Sequence, residues 1–171
     1  MVPVAQENIV APGIGERARF GGMEATFKVA AEQTGGAFSM VEFVVEPGAL
    51  VPPHVHDNKN EVSFVTEGEL GFMLGGEDTI ASAGTAVMRP AGIPHALWNA
   101  SGAAARMVEV YSPGGFERYF VELARMFAGG EPPRMSELEE LGRRFDVKLA
   151  AEHMPRILET YGLDPLPIRE G

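Results

Sequence analysis

The chain has 171 residues, of which 45% are hydrophobic, so it can bury a core of its own and is too apolar to be disordered. It contains no cysteine, which excludes disulfides, thiolate metal ligands and a thiol nucleophile. Its net charge of −10 disfavours nucleic acid and anionic membranes as partners, because both are recognised through patches of Lys and Arg.

The N-terminal sequence has no basic segment followed by an apolar run. We therefore expect no secretory signal and a cytoplasmic protein. No apolar stretch elsewhere in the sequence is long enough to span a bilayer, so we expect no membrane partner.

Short apolar runs separated by turn residues follow one another from residue 24 to residue 111. The predicted strands are residues 24–31, 37–45, 61–66, 69–74, 79–81, 85–89, 95–99 and 105–111. Gly-rich and Pro-containing turns separate them, and no segment of helical period interrupts them. This pattern predicts an all-β sandwich or barrel and argues against a parallel α/β sheet.

The pattern changes after Ser112, where aromatic and aliphatic residues recur at helical spacing from Phe116 to Phe127. A second helix is predicted from Ser136, an N-cap candidate, to about residue 145. Pro155 is unsuited to a helix interior and is expected to open a last helix that ends before residue 162. The sequence thus predicts a barrel domain over residues 1–112 and a helical segment over residues 113–171 packed on it.

Three of the four histidines lie in the strand-rich part of the chain. His54 and His56 are two residues apart, so in an extended segment both side chains point to one face. A polar turn can fold Glu61 back towards them, and a Pro-containing turn delivers His95 to the start of a strand. Three imidazoles and one carboxylate suit Fe, Mn, Ni, Cu or Zn. The alternative is that these are polar barrel residues that bind nothing.

Two motifs in this region resemble those of the cupin superfamily. The first is Gly48-x5-His54-x-His56-x4-Glu61-x6-Gly68, and the second is Gly84-x5-Pro90-x-Gly92-x2-His95-x3-Asn99. All ten fixed positions are present, and the 15 residues between the motifs are typical of compact members. The resemblance covers residues 37–111. The tail from residue 112 onward is more weakly similar to small quercetinase-like bacterial cupins.

The resemblance implies a cupin jelly-roll, or double-stranded β-helix, barrel with a C-terminal helical appendage. It carries over His54, His56, Glu61 and His95 as ligands of one divalent transition metal. Fe, Mn or Ni is favoured because a six-coordinate ion leaves two positions open, and Zn or Cu is the alternative. Glu61 is also the candidate catalytic residue, as a proton acceptor if it detaches from the metal.

The resemblance implies an enzyme, foremost a quercetinase-like dioxygenase acting on a small apolar or aromatic substrate. The alternatives are a non-redox isomerase, cyclase or decarboxylase at the same metal, and a ligand-binding cupin without turnover. Small barrels of this family often pair through N-terminal strands. Because residues 1–10 carry four aliphatic side chains, we predict a homodimer that uses them.

Further residues are assigned from strand alternation and side-chain character. Candidate substrate-binding residues above the metal are Phe43, Phe64, Met73, Met88, Met107 and Phe116. Trp98 points away from the face of His95 and is expected to pack under a covering segment. A surface charge is favoured for Glu109, with an inward carboxylate as the alternative. His153 is expected to be a solvated residue at a helix end.

Overall fold

The computed structural model of the chain describes residues 9–169. Most of the predicted N-terminal dimer strand, residues 1–8, lies outside the described residues. The strands are β1 (Arg17–Phe20), β2 (Met23–Val29), β3 (Ser39–Val45), β4 (Leu50–Val55), β5 (Asn60–Glu67), β6 (Glu69–Leu74), β7 (Glu77–Ser82), β8 (Ala86–Arg89), β9 (His95–Trp98), β10 (Ala105–Ser112) and β11 (Lys148–Leu149). The α-helices are α1 (Glu117–Phe127), α2 (Met135–Phe145) and α3 (Met154–Tyr161).

The strands form two antiparallel sheets, in the orders β1-β2-β3-β10-β5-β8 and β11-β4-β9-β6-β7. The inner faces of both sheets supply the main apolar core, which includes Val41, Phe43, Phe72, Leu97 and Met107. Buried and partly exposed residues alternate along β3 and β10, as expected for strands with one face in a core. The predicted all-β jelly-roll barrel with small C-terminal helices is confirmed.

All eight predicted strands are present, with ends within two residues of the predicted ones. Three strands, β1, β4 and β11, were not predicted. The strand β4 contains Pro52 and Pro53, which lack a backbone N–H and normally argue against a strand. The β4–β9 ladder accommodates them by a register shift between Val51 and His54. Because of this shift, His54 lies directly opposite His95.

Helix α1 packs its apolar face on the barrel, as predicted. The ring of Phe120 stacks on Phe20 and meets Phe43 edge-on, each at 5.3 Å between centroids. Helix α2 begins one residue before the predicted start, with Arg134 rather than Ser136 as N-cap. The reason is that the Glu137 carboxylate accepts the backbone N–H of Arg134 at 2.8 Å.

Helix α3 covers the outer face of the second sheet. It carries Pro155 in its first turn and ends at Gly162 in the left-handed conformation, as predicted. The fully buried Trp98 lies on this outer face, 4.5 Å from the Tyr161 ring, which confirms that a covering segment packs over it. Residue 71 is glycine because the Trp98 indole occupies the place of a Cβ there.

Across residues 9–169, none of the helices combines the length and the apolar character needed to cross a bilayer.

Candidate metal centre

The structure brings the four predicted ligands together between the two sheets. His54 is the last residue but one of β4, and His95 begins β9 opposite it. His56 directly follows β4, and Glu61 comes from β5 in the facing sheet. Their donor atoms all lie within 4.8 Å of one another. All four side chains are buried, with at most 8% of any residue exposed. Such a cluster is the donor set of a site for a divalent metal.

Each of the three imidazoles donates its Nδ1 hydrogen to a backbone carbonyl. His54 donates to Pro52 at 2.7 Å and His95 to Ile93 at 2.9 Å, both two residues earlier in the chain. His56 donates to the carbonyl of Asp146, 90 residues away, at 2.5 Å. A carbonyl oxygen can only accept, so the ring proton is on Nδ1 and the lone pair is on Nε2. This is the arrangement found around metal-bound histidines.

Two Nε2 atoms of the cluster lack a donor within the described part of the chain, residues 9–169. They are those of His56 and His95, which are buried without a hydrogen-bond partner there. The Nε2 of His56 nevertheless lies 2.9 Å from Oε1 of Glu61. Two lone-pair atoms at this distance repel each other unless a proton or a metal ion lies between them. The residues present therefore fit a divalent metal ion bound by three Nε2 atoms and one carboxylate.

The protonation states of the cluster also suit a metal. Burial and the neighbouring imidazoles lower the pKa of His54 to about 3, so this ring is neutral near pH 7 and its lone pair is free. Burial opposes ionisation of Glu61, but the Arg89 guanidinium holds the pKa of that carboxyl well below its usual range. Metal binding requires these deprotonated forms, which are already present.

A second carboxylate lies behind the cluster, and Arg89 joins it to Glu61. Nη1 of Arg89 lies 2.9 Å from Oε2 of Glu61, its neighbour across the β5–β8 ladder, and Nη2 pairs with Glu109. Glu109 is 3% exposed, so the favoured prediction of a surface charge is wrong. The reason is that β10 lies between β3 and β5 rather than at a sheet edge.

Two hydroxyls complete this buried network. Ser63 donates to Oε1 of Glu109 at 2.9 Å and Tyr111 donates to Oε2 at 2.6 Å. Burial and the charge of Glu61 raise the pKa of Tyr111 well above its usual value, so the phenol keeps the proton that it donates. Two carboxyl groups share one guanidinium in this network, so a metal cation would add a second positive charge beside them.

The cluster opens onto a cavity of about 730 Å³. Five polar or ionisable residues of the site face it, namely His54, Glu61, Arg89, Glu109 and Tyr111. The barrel and the helical segment supply a mainly apolar wall, including Phe43, Leu97, Met107, Phe116, Phe120, Leu123 and Phe127. Cavities of this size and character accommodate small organic molecules.

Only half of the predicted substrate-binding residues line this cavity. Phe43, Met107 and Phe116 do so. The structure instead places Phe64 and Met88 on the outer face of the first sheet, 46% and 48% exposed. These two point outward because Glu61 and Ser63 on β5, and Val87 and Arg89 on β8, are the buried residues.

Met73 is also turned away from the cavity. It is fully buried but belongs to the cluster under α3, beside Ala96 and Trp98. Its neighbour Phe72 takes the inward position on β6. Alternation along β6 therefore places these two adjacent apolar residues in two different cores.

Sequence reasoning missed Arg89, Ser63 and Asp146. Ser63 could have been found by alternation, because it is two residues from Glu61, which was expected to face inward. Arg89 could not, because its neighbour Met88 was the residue expected to face the cavity. Asp146 had no signal in the sequence, since its carbonyl meets His56 only through tertiary packing. The fourth histidine, His153, lies outside the cluster at the start of α3, with 27% of its side chain exposed.

The geometry defines a class of protein: a jelly-roll barrel with a buried three-histidine, one-carboxylate donor set. Comparison with known proteins agrees with this class, because residues 41–111, less than half of the chain, match the family model of the cupin domain. These findings support a protein of the cupin superfamily.

Relatives with known names or structures agree with this family. The chain is 29% identical over 133 residues to quercetin 2,3-dioxygenase of Bacillus subtilis, covering 78% of this chain and 39% of that enzyme. The polyketide cyclase RemF of Streptomyces resistomycificus is similar in structure at 25% identity, with a TM-score of 0.53 over 61% of this chain and 78% of that one. An RmlC-like cupin of Shewanella frigidimarina shares the fold at 19% identity, with a TM-score of 0.53 over 64% and 94% of the two chains.

Proposed function

We propose that the chain is a metal-dependent dioxygenase of quercetinase-like type that acts on a small apolar or aromatic substrate. The observation that carries this proposal is that two of the four donor residues, His54 and Glu61, face a cavity of about 730 Å³ with mainly apolar walls. The relationship to the Bacillus subtilis quercetin 2,3-dioxygenase supports oxygen chemistry at this position.

The metal would be held by Nε2 of His54, His56 and His95 and by the carboxylate of Glu61. When bound, it would supply a Lewis acid and a template for the substrate and dioxygen. Fe, Mn or Ni is proposed, because ions that prefer six ligands leave two positions beyond the four protein donors. Zn or Cu is the alternative.

The chain's own residues would bind the substrate and accept a proton from it. Phe43, Met107 and Phe116 give the cavity an apolar surface that suits an aromatic ring and excludes water. Arg89 engages Oε2 of Glu61, so Oε1 is the atom that would accept a proton from an acidic substrate hydroxyl. This role requires Oε1 to be free of the metal at that step.

A second candidate is non-redox chemistry, such as cyclisation, at the same metal. It is supported by the structural likeness to the polyketide cyclase RemF. The same donors and cavity would serve both reactions, and a ligand-binding protein without turnover would have them too. Oxygen consumption separates these possibilities.

Metal binding is tested by elemental analysis of the purified protein and of two matched variants. We expect the wild-type chain to contain one transition-metal ion and His54→Ala to lose most of it, because one of four donors is removed. His153→Ala is the control, since His153 lies outside the cluster, and it should keep the metal. A His54→Ala protein with full metal content would contradict the proposed site.

The reaction is tested with an oxygen electrode on the Fe, Mn and Ni forms. Quercetin and simpler aromatic hydroxy compounds are the probes, and His54→Ala is the inactive control. We expect oxygen uptake that depends on both metal and substrate. If no metal form consumes oxygen with any probe, the dioxygenase proposal fails, and product formed without oxygen uptake would favour the non-redox candidate.

A further inference from the structure

The three imidazoles of the metal centre differ in what fixes them. His54 and His95 donate to carbonyls two residues earlier in the chain. These two hydrogen bonds therefore depend only on the local conformation of the chain at each histidine. The partner of His56 is the carbonyl of Asp146, at the end of α2. This partner lies outside residues 41–111, the part of the chain that matches the cupin domain.

Asp146 has a conformation that is specialised for this contact. It ends α2 with a φ of 60°, and among residues 9–169 it is the one residue other than glycine with a positive φ. Asp and Asn tolerate this region far better than β-branched residues do. The left-handed turn ends the helix and directs the Asp146 carbonyl to His56 instead of along the helix axis.

Several further contacts hold this turn against the ligand-bearing loop. The Asp146 carboxylate accepts the backbone N–H of Asn58 at 2.9 Å, in the loop between His56 and Glu61. Lys148 forms an ion pair with Asp57 in the same loop. The strand β11 pairs with the end of β4, placing Leu149 opposite His54, and Ala150 N–H donates to Pro53 at 2.9 Å.

We propose that Asp146 is a positioning residue for the metal centre: its turn sets the tautomer and orientation of His56, so docking of residues 146–150 and metal binding favour each other. The inference rests on the metal binding proposed above. The same segment also lines the cavity through Val147, Lys148 and Leu149, so the substrate wall and the metal site share one support. A site with His56 free to rotate would present Nε2 in only part of its conformations.

The test compares Asp146→Val with two variants that keep the turn. Valine disfavours a φ of 60° and removes the carboxylate, so we expect the Zn²⁺ affinity to fall by about 10- to 100-fold, as is usual when the support of a ligand is lost. Asp146→Asn keeps an acceptor and tolerates the turn, so its affinity should stay within about threefold of wild type. Asp146→Gly keeps the turn alone and should fall between them.

Asp164→Val is the matched control, because it makes the same change at an exposed position after α3. Zn²⁺ affinity is measured on folded protein by competition with a chromophoric chelator. Equal affinity of wild type and Asp146→Val would overturn the proposal. A loss of affinity in Asp164→Val as large as in Asp146→Val would overturn it too.

Two further measurements respond to positioning and not to folding alone. Long-range ¹H–¹⁵N spectra of the metal-free protein should show His56 with its proton on Nδ1 in wild type and Asp146→Asn, and a mixture of tautomers in Asp146→Val. Zn²⁺ should slow hydrogen exchange at the amides of Val147 and Ala150, because coupling between two sites is reciprocal. Exchange at these amides that does not change with Zn²⁺ would overturn the proposal.

The outcomes separate this inference from the proposed function. If wild-type protein binds no Zn²⁺, Fe, Mn or Ni, the proposed function fails. The His56 tautomer in the metal-free protein then decides the positioning role: a tautomer that changes in Asp146→Val supports it, and an unchanged tautomer overturns it. If wild type and Asp146→Val bind metal equally well, only the positioning role fails.

Discussion

At the scale of single residues, Arg89 is the group on which the charge balance of the metal centre depends. It is 3% exposed and lies between two buried carboxylates, Glu61 and Glu109. A buried ion pair adds little over apolar packing, but removing one partner leaves an uncompensated charge in a medium of low polarity. Replacing Arg89 alone should therefore destabilise the fold, because both carboxylates stay buried without their counter-charge.

We predict that Arg89→Leu lowers the free energy of unfolding by about 3–5 kcal/mol, because two buried carboxylates lose their counter-charge. Urea denaturation of the metal-free protein measures this. Arg106→Leu is the control: Arg106 is 42% exposed and pairs with Glu42 and Glu67 on the surface, so its loss should cost about 1 kcal/mol or less. Similar losses in both variants would contradict the role given to Arg89.

His54 gives the metal-free protein a pH dependence in the acid range. Its pKa is about 3 in the folded chain and 6.5 as the ordinary value, so between these pH values the unfolded chain binds a proton that the folded chain does not. The contribution of His54 to the free energy of unfolding is therefore fully present above pH 6.5 and is lost as the pH decreases towards 3. From pH 7 to pH 5 the loss from His54 alone is about 2 kcal/mol.

Urea midpoints of the metal-free protein at several pH values measure this effect. His54→Gln should show a shallower decrease between pH 7 and pH 5, because glutamine does not titrate. His153→Gln should keep the wild-type slope. A His54→Gln variant with an unchanged slope would show that this buried imidazole does not carry the pH dependence.

At the scale of elements, α1 joins the helical segment to the barrel through Phe120. This ring is 7% exposed, and five aromatic rings have centroids within 5.7 Å of it: those of Phe20, Phe43, Tyr111, Phe116 and Tyr119. The helical spacing of the aromatic residues predicted both the helix and its packing face. The partners on the barrel were not predictable, because they come from strands far away in the sequence.

We predict that Phe120→Ala lowers the free energy of unfolding by about 3–5 kcal/mol, since it leaves a cavity among five aromatic rings. The same truncation at Phe64, 46% exposed on the outer sheet face, should cost about 1 kcal/mol or less. Thermal or chemical denaturation of both variants checks this. Equal effects would mean that α1 does not depend on this contact for its docking.

At the scale of the whole molecule, the predicted homodimer depends on residues 1–10, of which 1–8 lie outside the described residues. We expect the full chain to elute as a dimer in size-exclusion chromatography and a chain lacking residues 1–10 to elute as a monomer. Circular dichroism serves as the control that the shortened chain is folded. A dimer that survives the deletion, or a monomeric full chain, would contradict the prediction. The domain boundary at residue 112 and the cytoplasmic location likewise stay predictions.

The sequence by itself predicted the features whose signals are local. Alternating hydrophobicity and turn residues predicted eight strands, helical spacing predicted α1, and Pro155 with Gly162 predicted α3. The resemblance to the two cupin motifs implied the donor set, and the i, i+2 spacing of His54 and His56 separately placed both side chains on one face. Alternation also predicted that Trp98 and His95 point to opposite faces of β9, because alternation depends only on the strand itself.

Only the tertiary structure decided what depends on which strands are neighbours. Glu109 is buried because β10 is a central strand. Phe64 and Met88 point outward because their neighbours on β5 and β8 point inward. The predictions for all three residues were different. The support of His56 came from Asp146, 90 residues away, through a turn with no signature in the sequence. Local patterns fix the direction of a side chain relative to its own strand, whereas its environment is fixed by contacts between distant segments, which packing of the whole chain selects.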